Sequence, residues 1–185
     1  MITSLPENFQ LAYSAEEISQ RVLSLAEEIS PWAEQVLERT GEQVLALCVL
    51  NGGVHFFSDL VRALNTTVQL QMCRTKAYSS DDQRKITNGV EISIEGIQTQ
   101  GRHVLIVDDI CDTGVTLSKL KNVLAELGAE EVKSSVLVRR KVEDAQFVPD
   151  WVGFEYPGEE WFVGYGMDYD GDRYRNISGM YVITK

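Results

Sequence analysis

The sequence predicts an α/β fold, in which a central parallel sheet is flanked by helices. Two segments, "QVLALCVL" and "HVLIVDD", are nearly continuous apolar runs of the kind found in strands that are covered on both faces. Each run is followed by a turn and then by an amphipathic helical pattern. Strands that alternate with helices in this way are typical of a parallel sheet, because parallel neighbours need a long crossover connection.

The helical segments have recognisable starts and ends. The first begins at Ser14 and Glu17, which have the spacing of a capping box, and Gly41 ends it. Pro31 lies inside this segment and predicts a kink or a split into two helices. The second helical segment, "VHFFSDLVRAL", follows Gly53, and the third is "TLSKLKNVLAELG", in which leucines recur on one face.

The remaining segments are predicted strands and one long loop. "TVQLQMCRTKAY" and "EVKSSVLVRR" have strand patterns, and three short β-rich pieces follow: "WVGFEY", "WFVGYGM" and "GMYVIT". The polar segment "SSDDQRKITNGVEI" has no helical stripe, so we predict a long mobile loop there, with a turn at Asn88-Gly89. We expect one domain over residues 1–185, with its core at about residues 40–140.

Composition narrows the possible functions. The chain has 185 residues, enough for one domain, and a net charge of −11, which disfavours a nucleic-acid-binding surface. It contains no apolar run long enough to span a membrane and no N-terminal secretory pattern, so we expect no membrane association. Cys48, Cys73 and Cys111 show no metal-site spacing and predict reduced thiols in a cytoplasmic protein.

Acidic residues gather where the second apolar run ends. Asp108 and Asp109 close that run, and "CDTGVT" leads from them into a helix, whose N-terminal amides attract phosphate. The two acids would repel phosphate, so we expect them to contact ribose hydroxyls or to reach Mg²⁺ through its waters. Asn51-Gly52-Gly53 forms a second turn at the end of the first run. In parallel sheets, ligands bind beyond such strand ends, so the two turns predict a ligand site. The alternative interpretation of the acidic segment is a solvated turn that caps the helix.

Three motifs carry a resemblance to a known family. "VLIVDDICDTGVTL" resembles the phosphoribosyl-pyrophosphate (PRPP) signature of the type I phosphoribosyltransferases. "LCVLNGGVHFFSDL" is similar to the pyrophosphate loop of the hypoxanthine-guanine phosphoribosyltransferases, and "WVGFEYPGEEWFVGYGMDYDGDRYRN" to their purine-binding hood. The resemblance extends from about residue 10 to residue 185. It implies a type I fold with a β-rich hood near the C-terminus, formed by about residues 147–185 with the N-terminal segment.

The resemblance implies purine salvage in the cytoplasm. A 6-oxopurine, hypoxanthine or guanine, and PRPP would give a nucleoside 5′-monophosphate, IMP or GMP, and pyrophosphate, with Mg²⁺ as cofactor. The enzyme would be a homodimer or a homotetramer, and it would bind neither nucleic acid nor membrane. Two alternatives stay open, namely a xanthine-preferring transferase and a PRPP-sensing regulator on the same fold.

The resemblance also implies residue roles. Asp108 and Asp109 would adjoin the ribose and a metal ion. Asp112 would lie near purine N7, where it can hold or accept a proton while N9 attacks C1′. The segment that binds the 5′-phosphate would be Asp112, Thr113, Gly114, Val115 and Thr116. The residues near the pyrophosphate would be Leu50, Asn51, Gly52, Gly53 and Arg175, with a cis peptide bond between Leu50 and Asn51.

The purine side of the site follows from the same resemblance. The residues around the base would be Arg139, Trp161, Phe162 and Asp168, of which Asp168 also adjoins a metal. Arg139 stands where the family usually has a lysine that donates to purine O6, and Lys141 is the alternative donor. The mobile loop would begin at Lys76, Ala77 and Tyr78, where the family usually has a serine in place of Ala77. Asn51 also departs from the family, because many relatives have a basic residue there.

Overall fold

A six-stranded sheet lies at the centre of the computed structural model, which describes residues 5–77, 90–94, 96–143 and 145–184. The strands of this sheet are β2 (Val44–Leu50), β3 (Val68–Ala77), β4 (Val90–Ser93), β5 (His103–Cys111), β6 (Glu131–Arg140) and β7 (Trp151–Tyr156). Their order is β4-β3-β2-β5-β6-β7. All neighbours are parallel except β4, which pairs antiparallel with β3. The predicted α/β class with a mostly parallel sheet is confirmed.

Helices cover both faces of the sheet. Alternate residues of β2 and β5 point to opposite faces, as the pleat requires. Those on one face pack with α1 (Ala15–Thr40) and α2 (Val54–Ala63) in one buried cluster. Those on the other face pack with α3 (Val115–Glu126). This arrangement explains why both strands are apolar along nearly their whole length.

The first helix is continuous, so the predicted split at Pro31 is wrong. Its start is as predicted, because Ser14 and Glu17 form the capping box, and Gly41 ends it in the left-handed conformation. Pro31 removes one backbone donor from the interior of the helix. The buried residues Ile29 and Ala33 pack on either side of the proline, and this tertiary packing outweighs the local cost.

A second, three-stranded antiparallel sheet lies beside the main sheet, and we call it the hood sheet. It consists of β1 (Phe9–Tyr13), β8 (Trp161–Val163) and β9 (Met180–Ile183), in the order β1-β9-β8. The prediction placed residues from about 147 onwards in the hood. The segment 151–156 instead forms β7 and extends the main sheet beside β6, because a short apolar strand carries no local signal for its partner.

The predicted long loop is shorter at its C-terminal end than expected. Val90–Ser93 forms β4, which pairs with the last residues of β3, whereas the prediction included residues 90–92 in the loop. Lys76 and Ala77 belong to the end of β3. Tyr78 and the predicted turn at Asn88-Gly89 lie outside the described residues.

Across the described ranges, no helix combines the length and the apolar character that crossing a membrane requires.

Candidate active site

The carboxyl ends of β2 and β5 lie side by side, since the two strands are parallel neighbours in the centre of the sheet. The turn 51–53 follows β2 directly, and the peptide bond between Leu50 and Asn51 is cis, as the resemblance implied. A Cβ atom on Gly52 would overlap the carboxylate of Asp109. A Cβ on Gly53 would press on the backbone of Val49 and Asp108. Glycine is therefore required in this turn for the backbone to approach the two acids.

Asp108 and Asp109 form a buried acidic pair at the end of β5. Asp108 is 7% exposed, and its Oδ1 accepts a hydrogen bond from the backbone N–H of Asp109 at 3.0 Å. Burial, together with the neighbouring carboxylate, holds the pKa of Asp108 well above its ordinary value. Burial also raises the pKa of Asp109, while hydrogen bonds and the positive charge of Arg175 act in the opposite direction. A bound cation, or hydroxyl groups that donate hydrogen bonds, would therefore stabilise the charged form of the pair.

The start of α3 has the properties of an anion site. Gly114 precedes the helix with φ +79°, a left-handed conformation that favours glycine. Within the described residues, no side chain caps this helix, and its first turn contains no acidic residue. The free backbone amides and the helix dipole therefore favour a negative charge at this end. Phe147 packs against Gly114 and closes the turn from outside.

Asp112 lies between the acidic pair and the start of α3, and its side chain is 56% exposed. Its Oδ1 forms an ion pair with Nε of Arg140 at 2.5 Å. Arg140 is only 9% exposed, although it carries a permanent charge. Arg140 is not among the site residues predicted from the sequence. Its position at the end of a predicted strand, in the pair Arg139-Arg140, was the only available signal.

The hood contributes a chain of contacts around Trp161. Its indole N–H donates to the backbone carbonyl of Asp168 at 2.7 Å, and the residue is 59% exposed. The Asp168 carboxylate pairs with Nη2 of Arg175 at 2.9 Å, and Nη1 of Arg175 donates to the carbonyl of Gly166. A Cβ on Gly166 would overlap the carbonyl oxygen of Gly52. The hood therefore touches the glycine turn of the main sheet directly.

Arg139 and Lys141 flank Arg140 in the sequence, and the structure gives them other contacts. Arg139 pairs with Glu155 of the neighbouring strand at 3.2 Å, and its side chain is 23% exposed. The backbone N–H of Lys141 donates to the carbonyl of Tyr156. Phe162 is buried and makes an edge contact with Tyr156. The structure thus brings the acidic pair, the glycine turn, the start of α3 and the hood together, with Arg139 held at the side by Glu155.

A metal site made by protein side chains alone is not visible in the described part of the chain, where no three His, Cys, Asp or Glu residues cluster suitably. Mg²⁺ is typically bound by one or two carboxylates together with substrate phosphates and waters. Asp108, Asp109 and Asp168 supply hard oxygen donors of that kind, so the donor chemistry of the site fits Mg²⁺ held jointly with a phosphorylated substrate.

The fold and this site define a class of protein. A family model described as "Phosphoribosyl transferase domain" matches residues 16–170. Over 161 residues the chain is 35% identical to the hypoxanthine-guanine phosphoribosyltransferase of Homo sapiens. This match covers 80% of this chain and 71% of the human protein. The chain therefore belongs to the hypoxanthine-guanine phosphoribosyltransferase family.

Solved structures share the fold of this chain. A hypoxanthine phosphoribosyltransferase from Staphylococcus aureus shares the fold with a TM-score of 0.86 at 22% identity, over 100% of this chain and 97% of the other. The hypoxanthine phosphoribosyltransferase of Trypanosoma cruzi, in complex with its product IMP, matches with a TM-score of 0.81 at 27% identity. That match covers 98% of this chain and 97% of the T. cruzi chain.

Proposed function

We propose that the protein transfers the phosphoribosyl group of PRPP to N9 of hypoxanthine or guanine, and so acts in purine salvage. The observation that carries this proposal is the convergence of four features at one end of the sheet: a buried acidic pair, a glycine turn, an uncapped helix start and an exposed tryptophan. Each feature suits one part of the substrates, namely the ribose, the pyrophosphate, the 5′-phosphate and the purine. The family membership supports the same reaction.

The phosphates of PRPP would bind at two backbone sites. The amides at the start of α3, in the segment Asp112 to Thr116, would hold the 5′-phosphate, because they are free and lie at the positive end of the helix dipole. The pyrophosphate would lie at the turn of Gly52 and Gly53, which have no side chains of their own. Arg175 lies beside the same turn and would add a positive charge.

The ribose would lie between these sites, beside Asp108 and Asp109. Mg²⁺, when bound through these acids, Asp168 and the substrate oxygens, would neutralise the charge of the leaving pyrophosphate. As the bond between C1′ and the pyrophosphate oxygen breaks, positive charge develops on the sugar, and nearby carboxylates stabilise it electrostatically.

The purine would stack on Trp161, with Phe162 presenting its backbone to the edge of the base. Asp112 would hold or accept the proton at N7 while N9 forms its bond to C1′. Arg139, or Lys141, would donate to O6. To face the base, Arg139 must turn away from Glu155, which now pairs with it.

A homo-oligomeric enzyme in the cytoplasm is part of the same proposal. Leu70 and Met72 lie on one face of β3 and are 52% and 53% exposed. Apolar side chains exposed side by side in this way are common at subunit contacts. Sedimentation velocity of the purified chain would distinguish a monomer from a dimer or a tetramer.

The proposed base preference can be tested by comparing hypoxanthine, guanine, xanthine and adenine at saturating PRPP and Mg²⁺. We expect kcat/KM for hypoxanthine or guanine to exceed that for adenine by about 10³-fold or more, since adenine has an amino group in place of O6 and would oppose one hydrogen-bond donor with another. Faster use of xanthine would favour the xanthine-preferring alternative. Equal use of adenine would contradict a site built for a 6-oxopurine.

Truncation of Trp161 should weaken purine binding selectively. In Trp161→Ala we expect KM for the purine to rise about tenfold, because stacking of a base on an aromatic ring is worth ~1–3 kcal/mol. KM for PRPP should change little. Trp161→Phe keeps a ring and is the matched control, so it should retain most of the affinity in the same steady-state assay. An unchanged purine KM in Trp161→Ala would remove Trp161 from the base site.

A further inference from the structure

Arg140 is a buried charge at the junction of the main sheet and the hood. It is the last residue of β6, and its guanidinium group makes three directed contacts. Nε pairs with Asp112, Nη1 donates to the carbonyl of Gly158 at 2.9 Å, and Nη2 donates to the carbonyl of Glu160 at 2.6 Å. The contacts to Gly158 and Glu160 fix the connection that leads into β8.

Aromatic rings hold the plane of this guanidinium group. Its central carbon lies 5.1 Å from the ring centroid of Phe162 and 5.9 Å from that of Tyr156. A planar, forked cation that is held by two carbonyls and two rings loses little further entropy when it binds a carboxylate. The contact to Asp112 is therefore made from a rigid support.

We infer that Arg140 is the positioning residue for Asp112. The inference rests on the proposed function, in which Asp112 handles the purine proton. The side chain of Asp112 is more than half exposed, on a turn that lies outside helix and strand, and in the described part of the chain Arg140 is its ion-pair partner. Without that partner, the carboxylate would be free to change rotamer and to bind water. With it, one oxygen is fixed and the carboxylate has a defined direction.

The same contacts tie the proton-handling group to the purine-binding strand. Glu160 immediately precedes Trp161, and Phe162 packs against the guanidinium group of Arg140. Arg140 thus sets the position of Asp112 relative to the surface on which the base would stack. The neighbouring Arg139 is bound by Glu155 and takes no part in this arrangement.

Arg21 offers a matched control for the structural part of this role. It donates to the carbonyls of Gly153 and Val152 at 2.7 and 2.6 Å, and it pairs with Glu28 at 2.7 Å. Like Arg140, Arg21 binds two carbonyls and one carboxylate, and it also donates to the hydroxyl of Ser24 at 3.0 Å. None of the partners of Arg21 belongs to the candidate site.

The test is a double-mutant cycle. Arg140→Met and Arg140→Lys are made in the wild-type and Asp112→Asn backgrounds, with Arg21→Met as control, and kcat and KM for PRPP are measured for each. We expect Arg140→Met to lower kcat roughly tenfold or more in the wild-type background, but less than about twofold in Asp112→Asn. KM for PRPP should stay within about twofold, since the amides of α3 make no bond to Arg140. Arg140→Lys should restore part of kcat, and Arg21→Met should leave it near the wild-type value.

Several results would overturn the inference. Equal losses of kcat in both backgrounds, or a loss in Arg21→Met as large as in Arg140→Met, would mean that Arg140 acts only through the stability of the fold. Failure of both Arg140 variants to fold, with Arg21→Met folded by thermal melting, would have the same meaning. Absence of turnover in the wild-type protein would instead overturn the proposed function, and this inference with it. Wild-type turnover therefore distinguishes the two failures.

Discussion

Replacing Asp112 by asparagine should lower kcat by about 10²-fold or more, because positioned acid–base groups typically contribute 10²–10⁴-fold. Asparagine has nearly the same shape but cannot take up a proton, and it offers Arg140 a neutral partner in place of a charged one. KM for PRPP should change much less, because the phosphates would be held by backbone amides of the glycine turn and of α3. Steady-state measurements with varied PRPP and varied purine would separate the two effects.

Asp170→Asn is a suitable control for this substitution. Asp170 is an exposed hood carboxylate that pairs with Arg173, so the same chemical change there should leave kcat unaltered. If kcat were unchanged in Asp112→Asn, Asp112 would have no part in the mechanism. If KM for PRPP rose as much as kcat fell, the main role of Asp112 would be in the phosphate site.

Asp108→Asn should have opposite effects on stability and on activity. Burial beside a second carboxylate raises the pKa of Asp108 well above its ordinary value of 3.8. The unfolded chain therefore releases this proton at a lower pH than the folded protein does. Stability therefore falls as pH rises above the unfolded pKa of Asp108, and a penalty is present at neutral pH. Asparagine removes that penalty, so the ligand-free variant should melt a few degrees higher.

Measuring Tm at two pH values tests whether the gain in stability comes from the charge on Asp108. The gain in Tm should be larger near pH 7 and should shrink towards about pH 4, where the carboxyl group of the unfolded wild-type chain also becomes protonated. Asp170→Asn, which changes an exposed carboxylate, should show no such trend. A lower Tm for Asp108→Asn at neutral pH would contradict the claim that burial and the neighbouring carboxylate make the charge on Asp108 destabilising.

Asp108→Asn should also weaken the binding of PRPP. We expect KM for PRPP to rise about tenfold, since one charged hydrogen-bonding group towards the ribose or Mg²⁺ is lost. The Mg²⁺ concentration that gives half-maximal rate should rise with it. An unchanged KM for PRPP would show that Asp108 does not face the sugar.

The elements with local signals could be predicted from the sequence. The capping box of Ser14 and Glu17 and the left-handed Gly41 mark the ends of α1, and continuous apolar runs mark β2 and β5. The predicted split at Pro31 is wrong, because packing on both sides of the proline keeps the helix whole. The partner of β7 could not be predicted, since pairing with β6 depends on the topology of the whole sheet.

In the candidate site, too, features with a local sequence signal could be predicted, whereas features that depend on the topology of the sheet could not. The acids at the end of β5 and the glycines after β2 stand out because strand ends in parallel sheets are where ligands bind. Gly52 lies against Asp109 only because β2 and β5 are neighbours, which no local pattern reveals. Arg140 was missed for a similar reason. Its partners Asp112, Gly158 and Glu160 are distant in sequence, and the family resemblance pointed to the position of Arg139 instead.

Release of pyrophosphate from PRPP, with hypoxanthine or guanine as acceptor, is the measurement that tests the central claim most directly. The base, PRPP and Mg²⁺ would each be omitted in turn, and the nucleotide product would be identified by mass spectrometry. The account predicts rapid release only when all three are present, with one nucleoside monophosphate formed for each pyrophosphate. PRPP binding detected by calorimetry, without release of pyrophosphate with any purine, would contradict it and would favour a PRPP-sensing regulator.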